Sequence, residues 1–116
     1  MINMNILDAS KIITDEYSMK ILAGSFNDPK TADELSVKFE IPIDICYRKI
    51  RVLETFGLLE CVEKIRTSNG RRVKLYRSLV KDGCLLYEKG KLRVCLNFIE
   101  NQMIDFDESW DVLEIA

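Results

Sequence analysis

The sequence predicts an α+β fold in which three helices precede a β-hairpin and a second β-hairpin follows. Two observations carry this prediction. Apolar residues recur at helical spacing in the first half of the chain, and an Asn-Gly pair separates two β-prone segments in the second half. The chain has 116 residues, of which 47% are hydrophobic and 31% charged. This size and composition are typical of one ordinary globular domain.

The first predicted helix covers residues 15–26. Thr14 precedes it as a candidate N-cap, and acidic residues occupy its first turn. Its apolar residues lie near helical spacing: Tyr17, Ile21, Leu22 and Phe26. Proline restricts the residue before it, so Asn27-Asp28-Pro29 should end this helix.

The second predicted helix covers residues 31–39. Thr31 is its candidate N-cap and Glu34 follows three residues later, which is the pattern of a capping box. A third helix is predicted over residues 42–56. Pro42 lies before or within its first turn, where a missing N–H breaks no helical hydrogen bond.

The third helix separates an inward stripe from a polar face. The stripe follows helical spacing and consists of Cys46, Ile50, Leu53 and Gly57. The other faces carry Asp44, Tyr47, Arg48 and Arg51. Gly57 should end the helix in the left-handed conformation that glycine adopts without strain.

Two strands are predicted over residues 58–66 and 72–79, joined by a turn that contains Asn69 and Gly70. The turn has no apolar residue, so we expect it to face solvent or a ligand. It is flanked by the cations Arg66, Arg71, Arg72 and Lys74. This first hairpin therefore presents a basic tip.

A second hairpin is predicted from residues 84–88 and 92–99. One face should carry Leu92, Val94, Leu96 and Phe98, and the opposite face Leu85, Tyr87, Cys95 and Ile99. Both faces are then partly apolar, which motivates the hypothesis that a tail or a second subunit covers one of them. We expect the chain to divide into one domain over residues 10–80 and a C-terminal extension over residues 81–116 that serves dimerisation or partner binding.

Residues 100–116 are acidic, yet they contain too many large apolar side chains for a purely solvated tail. These side chains are Ile104, Phe106, Trp110, Val112, Leu113 and Ile115. We expect the segment to dock on the protein, and its pattern does not decide between a helix and an added strand.

The formal net charge of −2 hides an uneven distribution. Residues 1–40 carry four Lys/Arg and seven Asp/Glu, residues 41–77 nine and four, and residues 78–116 four and eight. Phosphate attraction depends on the local patch, because salt screens charges beyond about 8 Å. The basic middle third is therefore compatible with a nucleic-acid partner or with a solvated helix face.

Residues that could catalyse a reaction or hold a cofactor are not grouped in this sequence. It has no His, no glycine-rich phosphate loop and no CxxC pair, and its acidic residues are scattered. We therefore expect no enzyme activity, no metal and no cofactor. The four cysteines are predicted to be free, buried thiols in a cytoplasmic protein without a signal peptide or membrane span: Cys46, Cys61, Cys84 and Cys95.

Part of the chain, residues 21–79, resembles a known family. The segments that carry the resemblance are Thr31-Ala32-Asp33-Glu34-Leu35, Cys46-Tyr47-Arg48-Lys49-Ile50-Arg51-Val52-Leu53 and Glu54-Thr55-Phe56-Gly57-Leu58-Leu59. In that order they resemble the second helix, the recognition helix and the exit into the wing of the winged helix-turn-helix in ArsR-like prokaryotic and archaeal regulators. The metal-sensing branch has paired cysteines and histidines, whereas this recognition helix has only Cys46.

The resemblance implies a fold of a three-helix bundle plus a β-hairpin wing, followed here by a C-terminal β-hairpin extension. It also implies a transcriptional regulator that binds double-stranded DNA as a homodimer, with the recognition helix in the major groove. The implied DNA-binding residues are Thr31, Asp44, Tyr47, Arg48, Lys49, Arg51, Arg66, Asn69, Arg71, Arg72 and Lys74.

Two other functions stay open on the sequence alone. The overall acidity favours a winged-helix module that binds protein within a transcription or other macromolecular assembly, through the acidic and apolar C-terminal segment. A thiol-responsive regulator that uses Cys84 or Cys95 is the third possibility, although no cation pattern near either thiol would lower its pKa.

Overall fold

The structure is a computed structural model that describes residues 4–100 and 103–109. In these ranges four helices precede five strands. The helices are α1 (Ile6–Thr14), α2 (Glu16–Gly24), α3 (Ala32–Phe39) and α4 (Ile43–Thr55). The strands are β1 (Leu59–Arg66), β2 (Arg72–Ser78), β3 (Val80–Glu88), β4 (Lys91–Phe98) and β5 (Met103–Ser109). The predicted α+β class is confirmed, with one more helix and one more strand than expected.

Helix α1 is the element that the sequence analysis missed. Asn5 starts it with a capping box, because its side chain accepts from the Asp8 N–H at 2.8 Å and the Asp8 carboxylate accepts from the Asn5 N–H at 3.2 Å. The helix buries Ile6, Ala9 and Ile12, which are spaced three residues apart. It contacts α2 and the strands β3, β4 and β5.

The predicted N-cap of the next helix is wrong by one residue. Thr14 is the last residue of α1, and Asp15 caps α2 by accepting from the Ser18 N–H at 2.8 Å. Thr14 instead donates its hydroxyl hydrogen to the Ser10 carbonyl at 2.8 Å. Asp15 has an extended backbone conformation, and it therefore ends α1 and starts α2.

The two helices that follow agree with their predictions. Thr31 and Glu34 form the expected capping box at the start of α3, with distances of 3.1 Å and 2.9 Å. In α4 the stripe residues Cys46, Ile50 and Leu53 are buried. Gly57 has a φ of 75°, the left-handed conformation that ends the helix.

Strands β1 and β2 form an antiparallel two-stranded sheet close to the predicted bounds. Residues 67–71 connect them. Within this turn the Gly70 N–H donates to the Thr67 carbonyl at 2.9 Å, and Gly70 has a φ of 84°. A glycine in the left-handed region after such a turn is a common way to close a β-hairpin.

Strands β3, β4 and β5 form a three-stranded antiparallel sheet with β4 in the centre. Strand β5 shows that residues 103–109 dock as an added strand. Trp110 and the apolar residues after it lie outside the described residues. The predicted hairpin extension is therefore part of a larger sheet.

The predicted faces of the second hairpin need a correction. Leu92, Val94, Leu96 and Phe98 are buried, as expected. However, Leu85 pairs with Val94 and Tyr87 with Leu92, and directly paired residues on antiparallel strands share a face. Leu85 and Tyr87 therefore lie on the inner face, and Leu86 lies on the outer face with Cys84 and Cys95.

Only one cysteine fits the prediction of buried thiols. Cys46 is buried, Cys61 and Cys95 are half-buried, and Cys84 is exposed; all four are free. Cys84 is exposed because it lies on the outer face of a strand at the edge of the sheet. No helix in the described ranges is long and apolar enough to span a membrane.

The packing predicts very different effects at two neighbouring positions of α4. Leu53 is 0% exposed, whereas Val52 is 41% exposed. Leu53→Ala should lower the free energy of unfolding by about 2–5 kcal/mol, because it leaves a cavity in the core. Val52→Ala should change it by less than about 1 kcal/mol. Urea unfolding of both variants measures the difference, and equal effects would contradict this packing.

Candidate nucleic-acid interface

The exposed face of α4 follows from the burial of its inner stripe. Because Cys46, Ile50 and Leu53 pack inward, the opposite face of the helix points outward. Asp44, Arg48 and Arg51 are exposed, and Tyr47 is 40% exposed. Together with Glu54, which is also exposed, the helix thus presents two guanidinium groups, two carboxylates and one phenol to solvent.

A cleft of about 300 Å³ lies between this helix, the start of α3 and strand β2. Its floor includes Ile50 and Tyr76, both of which are buried. Three cations and one exposed aromatic side chain line its walls: Arg51, Arg72, Lys74 and Tyr47. Thr31 also lines it, so five of the predicted site residues meet in one place.

Backbone hydrogen bonds hold the β1–β2 hairpin beside α4. The Lys30 N–H donates to the Tyr76 carbonyl at 2.9 Å, and the Tyr76 N–H donates to the Lys30 carbonyl at 2.8 Å. The Ser78 N–H donates to the Ser25 carbonyl at 3.2 Å. The segment before α3 is therefore joined to β2 by one isolated β-bridge, close to Arg72 and Lys74 of the same strand.

Tyr76 anchors this arrangement with its side chain. It is buried beneath the cleft, and burial raises the pKa of its phenol to about 12. The phenol therefore stays neutral across the physiological range. An uncharged floor leaves the cations of the walls to determine the local potential.

Acidic residues make the electrostatic potential of the cleft less positive. Asp33 and Glu54 line the same cleft, and the sequence analysis did not single them out. Asp33 also binds Arg71 at the hairpin tip, with an Oδ2–Nη2 distance of 3.3 Å. The position of Asp33 in the first turn of α3, two residues after the N-cap Thr31, is the signal that could have identified it.

The remaining site residues lie outside the cleft. Arg66, Asn69 and Arg71 are exposed at or beside the hairpin turn, where the Asn69 side chain accepts from the Thr67 hydroxyl. Asp44 and Arg48 are exposed on α4 beyond the cleft wall. Together with the cleft they give a surface that extends from α4 to the hairpin tip.

Lys49 differs from the other predicted site residues. Its ammonium nitrogen lies 3.2 Å from the Asp15 carboxylate, at the N-terminus of α2. It is half-buried and does not line the cleft. The geometry therefore gives Lys49 a role in joining α4 to α2.

No protein-family model matches this chain, and no curated protein matches it. Among residues 4–100 and 103–109, no three His, Cys, Asp or Glu side chains are grouped so that they could hold a metal ion.

The Asp15–Lys49 pair predicts a pH dependence of stability. Burial raises the pKa of Asp15, but hydrogen bonds from Ser18 and the nearby Lys49 ammonium outweigh burial, so this pKa lies below its ordinary value of 3.8. A pKa that is lowered on folding stabilises the protein above the unfolded value, and this contribution is lost as the pH falls through the folded value.

We therefore expect Asp15→Asn to be less stable than the unmodified protein at neutral pH. The stabilities of the two proteins should converge below about pH 4. Asparagine is as good an N-cap as aspartate, so the capping interaction is kept. Thermal unfolding across this pH range measures the effect. Asp44→Asn, at an exposed carboxylate, is the control, and a gap for Asp15→Asn that does not narrow in acid would contradict the ion pair.

Proposed function

We propose that this chain is a DNA-binding transcriptional regulator of the winged helix-turn-helix type, located in the cytoplasm. In this proposal α3 and α4 are the helix-turn-helix, α4 is the recognition helix and the β1–β2 hairpin is the wing. The observation that carries it is the cleft in which Arg51 of α4 meets Arg72 and Lys74 of the wing. Cations from two separate elements then face the same ligand.

Helix α4 has the dimensions and side chains for the major groove of duplex DNA. That groove is about 12 Å wide and admits an α-helix. Arg48 and Arg51 suit bidentate contacts with guanine or contacts with phosphate, and Asp44 can accept from a cytosine amine. Tyr47 would pack on a sugar or a base edge.

The wing would contact the phosphate backbone. Arg66, Arg72 and Lys74 are exposed cations, and phosphate contacts position a protein without reading sequence. Thr31 adds a hydroxyl at the start of α3. Its oxygen accepts from the Glu34 N–H, which leaves the hydroxyl hydrogen available to a phosphate oxygen.

The uneven charge distribution supports a polyanionic ligand at this surface. The basic residues 41–77 include α4 and the whole wing, whereas the segments before and after them are acidic. Binding through phosphates releases counterions, so affinity should fall steeply as salt rises.

A protein-binding module is the alternative. The three-stranded sheet of β3, β4 and β5 favours this alternative, because β3 exposes the consecutive apolar residues Leu85, Leu86 and Tyr87. The two functions differ in their ligand at the basic surface, so charge reversal there separates them.

The first test reverses the charge of two cleft cations with Arg72→Glu/Lys74→Glu. Binding to a random-sequence duplex, measured by fluorescence anisotropy at low and moderate salt, should weaken by roughly a hundredfold or more, since two phosphate contacts become repulsions. Lys11→Glu/Lys91→Glu makes the same change in net charge at exposed positions outside the cleft. This control should lose only a small part of the affinity.

Two outcomes would contradict the proposal. If the control weakens binding as much as the cleft variant, the attraction comes from net charge and not from the cleft. If the unmodified protein does not bind duplex DNA even at low salt, the protein-binding module is favoured instead.

The second test concerns the Arg71–Asp33 ion pair, which holds one wing cation away from a ligand. Exposed ion pairs are worth about 0–1 kcal/mol. Asp33→Asn should free Arg71 and remove a negative charge from the cleft, so DNA affinity should rise about two- to fivefold. The same titration measures it, with Asp28→Asn as the control. Unchanged or weaker binding would show that Asp33 does not compete with phosphate.

A further inference from the structure

Strand β3 forms an outer edge of the second sheet that is unusually open. Eight of its nine residues are exposed, and Leu85, Leu86 and Tyr87 are 39%, 50% and 63% exposed. One edge of β3 pairs with β4. No strand within residues 4–100 and 103–109 pairs with its other side.

The other outer edges carry features that oppose pairing. Strand β5 contains Asp105 and Asp107, and β1 contains Glu60, Glu63 and Lys64 together with a bulge between Cys61 and Glu63. Charges and bulges on edge strands prevent strand addition. Strand β3 has its charges and its bulge near its ends, at Lys81, Asp82 and Glu88 and between Val80 and Asp82, whereas its segment from Cys84 to Tyr87 has no charge, no proline and no bulge.

The backbone of this segment is also oriented for pairing. The turn after β3 has two residues with positive φ, Lys89 and Gly90, and it closes the Glu88–Lys91 pair. In such a hairpin the pair next to the turn exchanges both hydrogen bonds, and the pattern then alternates. Leu85 and Tyr87 therefore direct their N–H and C=O groups toward the free edge.

We propose that β3 pairs antiparallel with β3 of a second copy of this chain, so that two three-stranded sheets join into one six-stranded sheet. The segment from Cys84 to Tyr87 is its own complement, because these four uncharged residues meet the same four residues about a twofold axis. This inference does not depend on DNA binding.

Charge separates two of the possible registers. With the axis at Leu86, Leu85 of one copy faces Tyr87 of the other, and four backbone hydrogen bonds form between these residues. With the axis at Leu85, Asp82 would face Glu88 of the other copy, and like charges opposite each other are unfavourable. The register centred on Leu86 avoids this repulsion and pairs an aromatic with an aliphatic side chain.

The assembly should stop at two copies. Twofold pairing uses the same edge of both chains, and the remaining outer edges of the joined sheet are the acidic β5 strands. Charged side chains on an edge strand oppose strand addition, and Asp105 and Asp107 are both held on β5 by Arg93 of β4, so we do not expect the sheet to extend. The second copy, and not a fibre, is the expected occupant of the β3 edge.

The test places charged side chains at residue 86, on the proposed twofold axis. In the proposed register residue 86 faces residue 86 of the other copy, so Leu86→Lys and Leu86→Glu should each raise the dimer dissociation constant by about tenfold or more. Mixing the two variants should restore dimers, because lysine then faces glutamate. Sedimentation equilibrium over roughly a hundredfold concentration range measures the populations. Met103→Lys, on the opposite edge strand, is the matched control and should leave dimerisation unchanged.

Hydrogen exchange of the full chain locates the contact. The Leu85 and Tyr87 amides should become protected as the concentration rises, whereas the Leu86 amide already bonds within the sheet. The proposal is overturned if the unmodified protein stays monomeric throughout, or if the mixed variants do not recover dimers. It is also overturned if the protection of Leu85 and Tyr87 does not depend on concentration, since the edge would then be covered within one chain.

Discussion

The candidate interface depends on the pair of backbone hydrogen bonds between Lys30 and Tyr76. These bonds join the loop before α3 to β2, and so they set the distance between α4 and the cations of the hairpin. Backbone bonds suit this task because they do not depend on side-chain rotamers. The buried Tyr76 ring reinforces them from below, and the exposed cations above are free to serve a ligand.

Much of the helical part could be predicted from the sequence because its signals are local. The capping box of Thr31 and Glu34, the stripe of Cys46, Ile50 and Leu53, and Gly57 each act within a few residues. Helix α1 was missed although its sequence carries two local signals, the Asn5–Asp8 capping box and the apolar residues Ile6, Ala9 and Ile12 at helical spacing. Tertiary packing against the second sheet is what makes this short helix stable.

The faces of β3 and the partners of the cations could not be predicted, because both depend on contacts between distant residues. A bulge between Val80 and Asp82 helps to set which side chains of β3 lie inward, and alternation within one strand does not reveal its partner. Likewise, Lys49 and Arg71 looked equivalent to the other cations until Asp15 and Asp33 were found beside them. The cleft itself was predictable only as a basic region, not as a convergence of Arg51, Arg72 and Lys74.

Helix α1 has a structural role beyond its own stability. It packs against α2 on one side and against β3, β4 and β5 on the other, so the helices and the outer sheet share one hydrophobic core. Two parts that share a core tend to melt in a single transition and to move together. The three-stranded sheet and the helices are therefore expected to lose their structure together when α1 is displaced from the core.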